Sequence, residues 1–223
     1  MRLVFWNCNM ALHAKLPLLA WLQPAIAVLP ECARPDIVRS KAGLFVPESF
    51  IWIGDNPHKG LGVVAFGAYR VELASNHDAS FRYVAPCHVA GPVAFNLIGL
   101  WDYHVGAEKM GRMPGPFRRA LDHWQDYLRS APTIIGGDFN NHVVFDKPVH
   151  EGNFAELDAH MRRLGFFSAY NAHHGVGLGA ATEPTHHCTT SITSTCPRPC
   201  DMRCSTTRWE PSTRGYDTAT ICR

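Results

Sequence analysis

Apolar residues fall in short blocks along the chain, and most blocks end on a polar side chain or a glycine. Residues 2–6 (Arg-Leu-Val-Phe-Trp) read as a short strand running into Asn7. Residues 13–22 have the spacing of a short helix. Pro24 then punctuates before a second strand, Ala25 to Leu29, that ends at Glu31. Blocks with β-branched and aromatic content recur at 49–53, 61–66, 70–74, 81–89 and 93–101 and predict strands. Turn signals separate them, as in Asp55-Asn56-Pro57 and Ser75-Asn76-His77-Asp78. Phe117, Leu121, Trp124 and Leu128 recur at helical spacing and predict a helix over 115–130, with Pro114 and Pro116 near its start. The block Thr133-Ile134-Ile135 predicts a buried strand stopped by Gly136-Gly137. An amphipathic helix is expected at 153–164, then a strand from Phe166 to Tyr170. No internal repeat is visible. Many strands with few long helices point to an α/β domain of sheets covered by helices.

Composition sharpens this picture at one place. The 223 residues are 46% hydrophobic with a formal charge of +2, which fits one globular domain and gives no basic stripe for nucleic acid. No apolar run reaches the roughly 18 residues of a membrane span. The start turns polar too soon for a signal peptide, so a cytoplasmic monomer is expected. Cysteine, however, is uneven: Cys8, Cys32 and Cys87 lie in residues 1–187, and the other five of eight lie beyond. Residues 1–187 hold 16 basic and 16 acidic side chains, so the tail supplies the whole excess charge. From Cys188 onward Thr, Ser, Cys, Pro and Arg replace apolar periodicity, and such a segment is expected to stay disordered. The expected division is therefore 1–187 as the domain and 188–223 as a tail. A metal-bound cap using Cys196, Cys200 and Cys204 with His186 or His187 is the rival reading, although that cysteine spacing is unusual for zinc.

The chemistry-bearing residues stand at strand ends. Asn7 and Asn9 follow the first strand, Glu31 the second, and Asp138 and Asn140 the block ending in Gly136-Gly137. Carboxylates beside amides suit a hard divalent cation such as Mg²⁺, which takes one or two carboxylates plus substrate phosphate oxygens. The three early cysteines read as buried apolar residues. His173-His174 and Gly175–Gly179 read as loop.

Trp6-Asn7-Cys8-Asn9, Pro24 to Glu31, Lys59-Gly60-Leu61-Gly62-Val63 and Gly137-Asp138-Phe139-Asn140 together resemble the endonuclease/exonuclease/phosphatase superfamily of DNase I-like proteins, in order and approximate spacing over residues 1–187. The resemblance implies a DNase I-like four-layer sandwich of two mixed sheets flanked by helices. It also implies metal-dependent hydrolysis of a phosphate ester with Mg²⁺ or Mn²⁺ as cofactor. The substrate would be nucleic acid, a nucleotide or a lipid head group, with a nuclease-like activity slightly favoured. Glu31 corresponds to the direct metal ligand, with Asn7 beside it. Asn9 stands where many members carry Asp. Asp138 corresponds to the carboxylate that orients or deprotonates water, and Asn140 to the donor to phosphoryl oxygens. Trp101 occupies the place of a family His or Tyr and cannot accept a proton. Either His104 substitutes for that group or it is dispensable.

Two further family pieces, Tyr-His-Ile-Asp-Tyr and a terminal Ser-Asp-His, are absent from the chain. Read one base earlier, codons 191–195 can encode Tyr or His, then His, Ile and Asp, and codons 218–223 can encode Ser, Asp, His, Met or Leu, and Pro. A frameshifted tail is the expectation, with the C-terminal strands missing or disordered and activity impaired. The alternatives are a non-catalytic binding protein on the same fold and a zinc-dependent nucleic-acid binder using the tail.

Overall fold

The computed structural model describes residues 1–42, 47, 49–175, 177, 192–194, 204–209 and 217–222. Strands follow in the order β1 (Leu3–Trp6), β2 (Ile26–Cys32), β3 (Phe50–Asn56), β4 (Lys59–Ala65), β5 (Arg70–Leu73), β6 (Val84–Ala90), β7 (Phe95–Trp101), β8 (Thr133–Asp138), β9 (Phe166–Ser168), β10 (Ile192–Ser194), β11 (Cys204–Trp209) and β12 (Asp217–Cys222). Helices are α1 (Leu12–Leu22), α2 (Pro35–Ala42), α3 (Gly106–Lys109), α4 (Pro116–His123), α5 (Gln125–Ser130), α6 (Phe154–Arg163) and α7 (Ala169–His174). The strands form two six-stranded mixed sheets, ordered β11-β12-β1-β2-β4-β3 and β5-β6-β7-β8-β10-β9. Only β1–β2 and β7–β8 are parallel among the described pairs.

Burial on both faces of each sheet explains why the strand blocks read as nearly continuous apolar runs. Leu3, Phe5, Ile26, Val28, Leu61 and Val63 of the first sheet meet Ala85, Leu97, Trp101 and Ile134 of the second. The alternate residues Val4, Trp6, Ala27 and Leu29 turn outward to Leu12, Leu16 and Leu19 of α1 and Val38 of α2. Ile98, Leu100 and Ile135 turn outward to Phe117, Leu121, Leu157 and Met161 of the other helical layer. The layers are thus helix, sheet, sheet, helix, as expected.

Three boundaries differ from expectation. The helix over 115–130 is two helices that break at Trp124, a residue 1% exposed whose indole N–H donates to Asn76 O at 3.1 Å. The strand expected from Phe166 to Tyr170 ends at Ser168, whose hydroxyl accepts from Asn171 N and so caps α7. His173 and His174 are therefore helical. The glycines at 136 and 137 do not stop β8. A Cβ at Gly136 would lie 2.0 Å from the Phe5 ring, and one at Gly137 would lie 1.9 Å from Leu100 O. Both glycines are what close packing of this strand requires.

Three short segments of the C-terminal region are described, and each is a strand. β12 pairs antiparallel with β1 from Leu3↔Cys222 to Trp6↔Ala219, and β11 adds beyond it. β10 lies between β8 and β9. A ladder edge offers N–H and C=O groups to any extended backbone, so a segment without apolar periodicity can still complete a sheet. The rest of the tail, including His186, His187, Cys196 and Cys200, lies outside the described residues.

Candidate active site

Both parallel strand pairs end at the same place, and that is where the polar side chains gather. Asn7 leaves β1, Glu31 lies near the end of β2, and Asp138 ends β8. Asn7 Nδ2 donates to Asp138 Oδ2 at 2.8 Å and to Glu31 Oε1 at 3.3 Å, so one amide joins carboxylates from the two sheets. Asn7 and Asp138 are 7% and 2% exposed. The Asn7 oxygen accepts from Asn9 N at 3.0 Å, and Asp138 Oδ1 accepts from Asn140 N at 2.9 Å. Backbone amides thereby fix both side chains two residues upstream.

The local backbone is strained. Glu31, Asn9 and Asn140 have φ of 59°, 44° and 45°, in the left-handed region that non-glycine residues seldom adopt. Each such residue costs of order 1–3 kcal/mol and persists where surrounding structure holds it, commonly at functional sites.

Of the residues singled out from the sequence, Asn7, Glu31 and Asp138 meet directly. Asn9 and Asn140 contribute their backbone N–H groups to the cluster and keep exposed side chains. Trp101 is the strand partner of Asp138 and is buried at 2% exposure. His104 is paired with Asp102. Its Nε2 lies 2.9 Å from Asp102 Oδ2, against Gly115, while Asp102 Oδ1 accepts from Phe117 N at the start of α4. Burial opposes a charged His104, but the hydrogen bond and charge of Asp102, with the charge of Glu108, outweigh it and raise its pKa. His104 and Asn140 nevertheless line the same cleft, of about 380 Å³.

Lys59 was legible only as part of a motif. Its ammonium lies 3.1 Å from Glu31 Oε2, because β4 runs antiparallel to β2 with Gly60 opposite Cys32. Asp102 and the tyrosines 83 and 103 gave no sequence signal, since a single acid or ring at a strand end is ordinary.

The donor set fits a hard cation chemically. Glu31, Asp138 and the Asn7 amide are oxygen donors, and Mg²⁺ needs few protein ligands when substrate phosphate completes its shell. The described residues hold no cluster of three or more His, Cys, Asp or Glu that would suit a protein-only metal cage. Cys8, Cys32 and Cys87 are free and buried, as expected, and burial raises the Cys32 and Cys87 thiol pKa values. No helix among the described residues is long and apolar enough to cross a membrane.

No family model and no curated protein matches the sequence. Solved structures do match the fold. An AP endonuclease from Archaeoglobus fulgidus is 12% identical, with 100% of this chain and 98% of that one covered, at a TM-score of 0.64. The endonuclease domain of TRAS1, a telomere-specific non-LTR retrotransposon, is 11% identical over 100% and 97%, at 0.63. Mannosyl-6-phosphatase Bt3783 of Bacteroides thetaiotaomicron VPI-5482 is 10% identical over 100% and 98%, at 0.59. Likeness at such identities speaks for the fold alone, and with two mixed sheets between helices this chain has the fold of the DNase I-like endonuclease/exonuclease/phosphatase proteins.

Proposed function

We propose that the chain is a divalent-metal-dependent phosphoesterase that hydrolyses phosphodiesters or phosphomonoesters, with a nuclease-like activity favoured. The observation that carries this reading is the Asn7 amide joining Glu31 and Asp138 where two parallel strand pairs end. Proteins of the same fold named as endonucleases and a phosphatase support it at the level of phosphate-ester chemistry.

In this reading Glu31 and Asn7 hold the cation, which when bound neutralises phosphate charge and lowers the pKa of a bound water. Asp138 orients or deprotonates the attacking water. Hydrogen bonds from Asn7 Nδ2 and Asn140 N leave its carboxylate little freedom, so it meets the nucleophile in one geometry. Asn140, exposed on the cleft wall, donates to the phosphoryl oxygens as charge builds on them. Lys59, 3.1 Å from Glu31 Oε2, places a positive charge beside the site where the ester's phosphate would bind.

The Asp and His that would complete this chemistry are missing from the sequence, and we propose that residues 188–223 are read in a shifted frame and that the chain as given is impaired. The codons that can encode Tyr-His-Ile-Asp span β10, beside β8, and those that can encode Ser-Asp-His span β12, beside β1. Restored motifs would therefore stand on neighbours of the strands that deliver Asp138 and Asn7. The gene sequence tests the frame: stop codons or absent motifs in the shifted frame end that account. A panel of nucleic-acid, nucleotide and lipid-head-group esters, assayed with Mg²⁺ and Mn²⁺ on the frame-restored chain, tests the activity. Hydrolysis without added metal, or of no ester at all, overturns it. A non-catalytic binding protein is the second reading, favoured by Trp101, which cannot accept a proton, where the resemblance places a His or Tyr.

A further inference from the structure

Exposed apolar side chains gather on two neighbouring segments at the rim of the cleft. Val149 is 87% exposed, and Met110, Val144 and Phe145 are each more than half exposed. Glu151 N donates to Gly111 O at 2.9 Å, which pins the segment 143–152 to the turn after α3. Val144 and Phe145 line the cleft together with Lys109, Gly111 and Lys147. One exposed aliphatic residue is ordinary, whereas a group of them on adjoining segments marks a contact surface.

The backbone behind these side chains is held firmly. In the 3-10 turn Val143–Phe145, His142 Nδ1 accepts from Val144 N at 3.1 Å. The Asp146 carboxylate accepts from Phe154 N at 2.7 Å and from Ala155 N at 2.9 Å. The Asn153 amide closes the loop on Lys147, accepting from its N at 3.1 Å and donating to its O at 2.8 Å. The apolar tips are thus presented preformed, and a partner meets them at little ordering cost. Charge selects the partner. Lys109, Arg112 and Lys147 are exposed on the same two segments, and none has a carboxylate partner among the described residues. Of the acids on residues 106–112 and 143–153, Glu108 is buried and paired with Arg119, and Asp146 is engaged by the amides of α6. Only Glu151 is exposed, so the surface around the apolar tips is positive.

We propose that this patch docks the chain on an anionic phospholipid surface. Met110, Val144, Phe145 and Val149 enter the boundary between head groups and acyl chains, and the three cations meet lipid phosphates. Aliphatic tips gain from hydrocarbon, which a bilayer offers and the phosphate-lined surface of a duplex does not. The docking surface goes beyond the phosphoesterase reading and holds whether or not the cluster at Glu31 is catalytic.

Co-sedimentation of the full chain with vesicles tests this, using phosphatidylcholine alone and phosphatidylcholine containing phosphatidylserine. Circular dichroism checks the fold of each variant. The native chain should bind the anionic vesicles, and less so at high salt. Val144→Ser combined with Val149→Ser should weaken that binding at least about tenfold, since each methylene buried in lipid contributes about fourfold. Lys109→Gln and Lys147→Gln should each weaken it about fivefold and leave binding to pure phosphatidylcholine unchanged. Val93→Ser, exposed ahead of β7 at the opposite end of the sheet, should change nothing. Absence of vesicle binding overturns the proposal, as does binding that survives the paired valine change or falls as far with Val93→Ser. Binding of a short DNA duplex that needs the same valines, while vesicles stay unbound, also overturns it and assigns the patch to nucleic acid.

Discussion

Asn7 carries no charge, yet carboxylates from two sheets meet on its amide nitrogen, and backbone N–H groups from Asn9 and Asn140 lock the cluster. These neighbours separate the two polar residues of β8's end by role. If Asp138 acts on the attacking water as proposed, Asp138→Asn removes that charge, a loss of about 10²–10⁴-fold for a general base. Asn140→Ala removes one side-chain donor, about 10²–10³-fold, but keeps the backbone N–H that holds Asp138. Turnover should fall further for Asp138→Asn, and steady-state kinetics on the frame-restored chain that show the larger loss at Asn140 would reverse the roles. The residue types were readable in the sequence because each follows an apolar block. The Lys59 contact to Glu31 was not, since it depends on the pairing of β2 with β4. His104 gives a pH test. Its raised pKa means that the pair with Asp102 stabilises the fold fully below the ordinary histidine value of about 6.5, and that this stability fades as pH rises through the raised value. Denaturation of wild type against His104→Gln should show a gap that is widest in acid and narrows with rising pH. A gap that widens with pH contradicts the assignment.

Strands buried on both faces announce themselves as apolar runs, which is why β1 and β7 were legible within two residues and β2 within three. Short helices were less so. α2 buries only Val38 of eight residues, too few for a period to show, and α7 is set by a Ser168 cap inside an apparent strand. The glycine pair in β8 read as a stop because a missing side chain looks like a turn signal, whereas here Phe5 of the facing sheet fills the space above Gly136. Gly136→Ala should therefore cost about 1–3 kcal/mol, as overpacking typically does. Urea denaturation at unchanged slope measures it. Stability equal to wild type would mean that Phe5 moves aside freely.

At the scale of the molecule, both sheets take their last partners from a segment whose composition gave no strand signal. Backbone ladders join Asp217–Cys222 to β1 and Ile192–Ser194 to β8. Ladder amides of Asp217–Cys222 should exchange with solvent far more slowly than those of an unstructured chain, and hydrogen exchange read by mass spectrometry checks this. Free exchange there would return the tail to the disordered state that its composition implies. The identity of the tail and the chemistry of the cleft are separate questions, and the second turns on one carboxylate. Hydrolysis at physiological Mg²⁺ by the frame-restored chain, compared with its Glu31→Ala variant of verified fold, tests the account most directly. Metal-dependent turnover should vanish in the variant, because the cation loses its main protein carboxylate; turnover retained at that Mg²⁺ concentration would contradict the assignment of this cluster as a metal-dependent phosphoesterase site.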